Sequence, residues 1–278
     1  MNPYWQSESV QIYNADCLEV LAELPDESIA AVISDPPFSS GARTDAGKAM
    51  RGAMLRGVKW QDDWFSHDNL ATFGFLFLMR LVSTELFRVT KQGGSCHLFI
   101  DWRMYPNLYG VLESTGWNVK NLVVWDKQNF GMGTNYRNQH ELIIYAEKGD
   151  CNFRNHNMGN VQKVKRVQAE YHPTEKPISL LERFIDNVTD EGETVFDPFC
   201  GSGTTLVAAR NIGRKGIGSE ISKDYCDVSV ERLAQGWAFT PPNNRLHSDA
   251  GESADLQADF YTPADSTSQA LSTPTQRR

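Results

Sequence analysis

The stretch VFDPFCGSGTTLVAA, Val195 to Ala209, leaves few folds open to the chain that carries it. An apolar run enters, two glycines one residue apart interrupt it, and Thr-Thr-Leu-Val-Ala-Ala resumes with helical character. The pattern predicts a strand, a tight turn and a helix. A short strand, KGIGSE, and a helix, SKDYCDVSVERLAQ, follow directly. The same alternation runs upstream. IAAVIS reads as a buried strand and LATFGFLFLMRLVSTELFRVTK as a helix stopped by Gly-Gly. SCHLFI is a strand, NLYGVLESTG a helix, and PISLLERFIDNVT a helix with proline in its first turn. Strands alternating with helices imply an α/β fold: a mostly parallel sheet covered on both faces. The adjacent runs WNVKNLVVW and HELIIYAE add an expected antiparallel hairpin at one edge.

Three segments do not fit this alternation. Residues 39–66 are rich in Gly, Ala, Arg and Lys without a steady period, and a long irregular segment is usually functional or mobile. Residues 148–170 are polar, basic and irregular. From about residue 240 the chain turns to Pro, Ser, Thr, Asp and Gln, too poor in apolar side chains to fold alone. The expected organisation is one folded domain over 1–238 and a disordered acidic tail over 239–278.

A composition 40% apolar supports a sizeable core, and a net charge of -8 excludes a generally basic coat, though not a local basic face. Five cysteines without a CxxC pair argue for a reducing compartment, with neither a zinc site nor a disulfide framework. The N-terminus MNPYWQSESV is no signal peptide, and no apolar run reaches the roughly 20 residues that span a bilayer. A soluble, cytoplasmic protein with no membrane partner and no metal is expected.

The glycine turn reads in two ways, as a plain strand-to-helix turn or as a ligand cradle. Its glycines permit close backbone approach, and the helix N-terminus offers unpaired N–H groups. Glu220, roughly 20 residues on, is placed to accept hydrogen bonds from ribose hydroxyls. No lysine follows the second glycine, so this is no phosphate-gripping loop. A third glycine is missing, which disfavours a dinucleotide. A nucleoside without pyrophosphate fits better, with S-adenosylmethionine the obvious candidate.

A second stretch, SDPPF, leaves the strand IAAVIS through an acid, two prolines and an aromatic: Asp35, Pro36, Pro37 and Phe38. Neither proline donates to a ladder and each fixes φ, so the acid rides on a stiff corner. DPPF and DPFCGSGTT together resemble the DNA amino-methyltransferases, which methylate adenine N6 or cytosine N4. The order, catalytic motif before cofactor loop, resembles the family's permuted beta group, and IYNADCLEVLAELPDESIAAVISDPPF is similar to that group's opening. HPTEKP, VVWDK and RNQHELIIYAEKG resemble further segments, so the likeness covers roughly residues 10–235. Phe38 stands where Tyr is commoner, and the stretch between AEKG and HPTEKP is short for a full target-recognition domain.

The resemblance implies a Rossmann-like S-adenosylmethionine-dependent fold, circularly permuted, and an enzyme acting on double-stranded DNA with base flipping. It implies a cofactor site of Asp16 (contacting the adenine), Cys17, His172, Thr174 and Lys176 (along the methionine side), Asp197, Phe199, Gly201, Gly203, Thr204 and Glu220. For His172 it favours ring packing on the cofactor over acid–base work. Cys200 reads as a buried filler rather than a nucleophile, because transfer to nitrogen needs no thiolate. A homodimer is implied by resemblance alone.

That reading gives the stiff corner a task. An exocyclic amine on a base is a poor nucleophile, its lone pair being delocalised into the ring. Hydrogen bonds from its N–H groups to the Asp35 carboxylate and the Pro36 carbonyl free the pair, and the prolines preorganise both acceptors. Phe38 would stack on a base drawn out of the duplex. Asp before Pro-Pro favours adenine N6 within the family; cytosine N4 and a catalytically silent DNA-binding protein are the alternatives. Arg43, Lys48, Arg51, Arg56 and Lys59 form a basic run expected to contact phosphate, and Arg154, Lys163, Lys165 and Arg166 a candidate groove-reading element.

Overall fold

The computed structural model describes residues 1–37, 72–131, 135–167 and 175–235. Among these, nine strands form one sheet in the order β1-β2-β9-β8-β3-β4-β6-β5-β7. The strands are β1 (Trp5–Gln6), β2 (Val10–Tyr13), β3 (Ile29–Ser34), β4 (Thr90–Ile100), β5 (Asn118–Asp126), β6 (His140–Lys148), β7 (Val161–Lys163), β8 (Thr194–Asp197) and β9 (Lys215–Ser219). The helices are α1 (Cys17–Glu23), α2 (Thr72–Val89), α3 (Tyr105–Ser114), α4 (Ile178–Val188), α5 (Thr204–Asn211) and α6 (Lys223–Gln235).

From β2 to β4 every neighbouring pair is parallel. Each of the six residues of β3, at the centre, is buried, as a strand covered on both faces requires. Alternation sorts the side chains. Cys96, Leu98 and Ile100 of β4 and Leu142 and Ile144 of β6 pack against α1, α2 and α3. Phe99 and Ile143 face the other way, with Trp125, onto α4 and α5. Helix α4 presents Leu180, Leu181, Phe184, Ile185 and Val188 to that layer, a stripe with helical period. Beyond it, α6 and α5 cover β2 through Cys226, Leu233, Leu206 and Val10. No helix of the described residues is long and apolar enough to cross a membrane.

Three expectations are corrected. Strands β5 and β6 do pair antiparallel, but not at the sheet's edge: β6 also pairs with β4, and β7 covers β5. Strand β7 lies inside the stretch expected to be irregular. Three residues are too few for periodicity to reveal, and β7 is fixed by its neighbours, with Val124 N donating to Asn160 O at 2.7 Å and Trp125 Nε1 to Val164 O at 2.8 Å. Gly93 and Gly94 do not stop α2, which ends at Val89. They lie within β4, beside a register shift on β3 between Ile29 and Ala31. A Cβ on Gly94 would stand 2.8 Å from Ala30 O, so the glycine lets two backbones approach at an irregular point of the ladder.

Candidate active site at the carboxyl edge of the sheet

Ligands of open α/β sheets bind beyond the carboxyl ends of the strands. Here the neighbouring strands β2, β9, β8 and β3 are each followed by, or end in, an acid at that edge: Asp16, Glu220, Asp197 and Asp35. At about 4.8 Å per strand the row spans on the order of 14 Å. The remaining strands continue the same edge. Glu141 is the second residue of β6, which runs antiparallel, Lys127 follows β5, and Lys163 closes β7.

The glycine turn is held from four sides. Asp197 ends β8 and accepts at Oδ1 from Phe199 N at 3.1 Å and from Ser34 Oγ, at the end of β3, at 2.6 Å. One carboxylate therefore ties the two motifs of the sequence together across neighbouring strands. Burial pushes its carboxyl up to about 6, against the Ser34 and Thr205 hydroxyls that favour the anion. Glu220 accepts from Gly201 N at 3.0 Å and from Ser222 N at 2.8 Å. Burial raises it too, with these N–H groups opposing. Each of its oxygens keeps a lone pair for a further donor.

Gly203 lies at φ 77. A Cβ there would stand 2.8 Å from Ser229 Oγ of α6, so this position serves helix packing as much as ligand approach. Arg232 of α6, which the sequence reading missed, closes the fourth side. Its guanidinium donates to Ser202 O (2.7 Å), Ser202 Oγ (2.9 Å), Thr204 Oγ1 (3.0 Å) and Glu175 Oε1 (2.6 Å). The signal was its spacing: with Cys226 and Ser229 it recurs every third residue on the buried face of α6.

The stiff corner carries its acid against that turn. Asp35, Phe99, Glu175, Lys176, Asp197, Phe199, Gly201, Ser202, Thr204 and Thr205 line one cavity. Pro36 is buried and Pro37 half-buried. Asp35 Oδ2 accepts from Lys176 Nζ, while its buried Oδ1 has no partner among the described residues. Lys176 also lies 3.3 Å from Glu141 Oε2, and Lys127 Nζ stands 2.7 Å from Glu141 Oε1. Burial pushes the Asp35 carboxyl above its ordinary value; the Lys176 ammonium opposes this and the Glu141 charge adds to it. Glu141, despite burial, is held below the usual range by Lys176 and Lys127 together. Glu141 was also missed, though alternation along HELIIYAE places it on the face of Ile143 and Tyr145.

The other expected residues are placed as follows. Phe199 is half-buried in the cavity wall. Thr204 opens α5, its hydroxyl committed to Arg232. Asp16 caps α1, accepting from Leu18 N at 2.8 Å, and does not line the cavity. Cys17 opens α1, its side chain buried with Val20 and Leu21 on the inner face of that helix. Cys200 is likewise packed, between Leu206 and Cys226. Lys163, Lys165 and Arg166 stand exposed at the end of β7. Arg154 is engaged by Asp186, at 3.2 Å, and by Asp190. Phe38, His172, Thr174, Arg43, Lys48, Arg51, Arg56, Lys59 and the tail lie outside the described residues.

Residues 29–231 match the family model N6_N4_Mtase, described as DNA methylase. The type II methyltransferase M2.DpnII of Streptococcus pneumoniae is 30% identical over 258 residues, spanning 83% of this chain and 92% of that protein. M2.LlaDCHI of Lactococcus lactis subsp. cremoris is 29% identical over 262 residues, spanning 85% and 94%. The crystal structure of the M1.HpyAVI–SAM complex superposes with a TM-score of 0.58 at 24% identity, covering 81% of this chain and 99% of that one. The PvuII DNA methyltransferase (cytosine-N4-specific) superposes with a TM-score of 0.64 at 19% identity, covering 83% and 88%. At these identities the two structures speak to the fold.

Proposed function

Because the chain belongs to the N6-adenine/N4-cytosine family of DNA methylases, we propose that it transfers a methyl group from S-adenosylmethionine to N6 of adenine in double-stranded DNA. The observation that carries the reading is the shared cavity: Asp35 and Gly201, far apart in sequence, line one space beyond the neighbouring strands β3 and β8. The chain order, β3 and its Asp-Pro-Pro corner before β8 and its glycine turn, supports a permuted arrangement.

The donor set suits this cofactor. Among the described residues the cavity holds the acids Asp35, Asp197 and Glu175 and a single cation, Lys176, which is bound to carboxylates. That environment favours a sulfonium and offers little to a phosphate. Glu220 would accept from the ribose, with the Gly201 turn beneath it and Phe199 alongside. When bound, S-adenosylmethionine supplies the methyl carbon, and its sulfur keeps the electron pair of the broken bond.

The chain's own groups then act on the amine. Asp35 Oδ1 and the Pro36 carbonyl accept its N–H groups and direct the lone pair outward. After transfer the nitrogen sheds one proton, to Asp35 or to water. Lys163, Lys165 and Arg166, at the same edge, would bind phosphates. Asp rather than Ser before Pro-Pro supports adenine over cytosine.

The test is direct. Duplex DNA incubated with protein and methyl-labelled S-adenosylmethionine is digested to nucleosides and weighed by mass spectrometry. N6-methyladenine is expected, and Asp35→Ala should lower its formation by at least about 100-fold. N4-methylcytosine would move the assignment to the family's other branch. Undiminished transfer by Asp35→Ala would overturn the mechanism.

A further inference from the structure

Asp35 is not alone at its corner. Its Oδ2 is occupied by Lys176 and its buried Oδ1 is empty-handed among the described residues. Lys176 is itself immobilised on three sides. Its side chain is 8% exposed, its ammonium meets Asp35 and Glu141, and it lies 5.0 Å from the ring centroid of Phe99. Glu141 in turn is braced by Lys127. The result is a chain of alternating charge, Asp35–Lys176–Glu141–Lys127, drawn from four separate segments of the protein.

We propose that Lys176, held by Glu141, is a positioning residue for methyl transfer: it engages one oxygen of Asp35 and thereby leaves the other turned to the incoming amine. This rests on the methyltransferase reading of the same site and adds to it a reason for the lysine. Stability does not require such a chain. Removing two charges from water costs about as much as their pairing returns, and apolar side chains of similar volume commonly do as well. A buried carboxylate oxygen left without a donor is a further cost that a purely structural pair would avoid. Both features make sense if a donor arrives from outside and must find a fixed, ionised acceptor.

The groups facing Asp35 are Lys176 from the segment before α4, Glu141 from β6, Lys127 from the end of β5 and Asp197 from β8. Of these, Lys176 and Lys127 favour its anion, while Glu141 and Asp197 oppose it. The first two groups beyond Asp35 in the chain of charge, Lys176 and Glu141, therefore act on it with opposite signs. Lys176→Met should raise the pH at which Asp35 titrates, and Glu141→Gln should lower it. Ordinary disruption of packing would not produce opposite shifts.

The experiment uses the whole protein in two readouts. Carbon-13 NMR of the Asp35 carboxyl, assigned by its loss in Asp35→Asn, gives the titration midpoint without substrate. Single-turnover methyl transfer against pH, at saturating S-adenosylmethionine, gives the acid limb of the rate. In Lys176→Met both should move up by about 1–3 pH units, with the rate recovering toward wild type at high pH. In Glu141→Gln both should move down, and Lys176→Arg should stay near wild type. An unmoved midpoint in Lys176→Met, or a rate lowered equally at every pH, would overturn the proposal. If the wild-type protein transfers no methyl group, the functional reading fails, and the NMR midpoints still decide the role of Lys176.

Discussion

The two ends of the carboxyl edge are built on different terms. At the glycine turn the polar groups are met by the protein itself: Glu220 by Gly201 and Ser222, Asp197 by Ser34 and Phe199, and Arg232 by Ser202, Thr204 and Glu175. At the Asp35 corner a carboxylate oxygen stays buried and unmet among the described residues, and beyond it Lys163, Lys165 and Arg166 stand exposed on and just after a three-residue strand. The turn is over-determined and holds its shape before anything binds. The corner is kept short of one donor. The contrast suits a DNA methylase, whose two ligands differ, one small and always the same, the other a polymer.

Four tests sharpen or break the contrast. The largest effect belongs to Arg232→Met. It removes the cation from the buried ion pair with Glu175, so urea unfolding should show a loss of about 3–5 kcal/mol. A loss below about 1 kcal/mol would mean that the turn does not depend on its clasp. Next comes Glu220→Gln, which keeps shape and removes charge. Calorimetry should show cofactor affinity falling by about 1.5–3 kcal/mol while DNA affinity stays constant.

The third works on the other end. Replacing Lys163, Lys165 and Arg166 together by Gln should weaken DNA binding and flatten its salt dependence by about 0.9 in log–log slope for each phosphate no longer neutralised. Cofactor affinity should not change; an equal drop in both would make the segment structural. The smallest effect is a pH dependence. Burial lifts the Asp197 carboxyl to about 6. Its folded value therefore lies above that of the unfolded chain, and the stability it adds is full in acid and lost as pH rises through about 6. The wild-type melting temperature should fall, relative to Asp197→Asn, between about pH 4 and pH 6.

What the sequence disclosed follows the same division. The strand–glycine–helix turn and the Asp-Pro-Pro corner rest on local backbone demands, φ at Gly203 and the stiffness of two prolines, and local demands are written in local residues. The α/β alternation was readable because long amphipathic runs such as α4 carry a clear period. Strand β7 was hidden because three residues have no period, and Gly93–Gly94 misled because a glycine pair marks a helix end and a strand irregularity alike. Arg232 and Glu141 belong to no local motif. Only the fold brings them within reach of Glu175 and Lys176, although their spacing already placed each on an inward face. Lys176, expected along the cofactor, lines the cavity with Gly201 and also meets Asp35, because the turn before α4 carries Glu175 toward one motif and its neighbour toward the other.

The central claim is that glycine turn and acidic corner form one site. Its most direct test is a crystal structure with sinefungin, an S-adenosylmethionine analogue that carries an amine where the methyl group is transferred. Expected is the ribose on Glu220, the nucleoside over the Gly201 turn and the amine facing Asp35 Oδ1. The analogue seated instead in the separate cavity lined by His97, Tyr145 and Phe184, or lying in the turn with its amine directed away from Asp35, would contradict it.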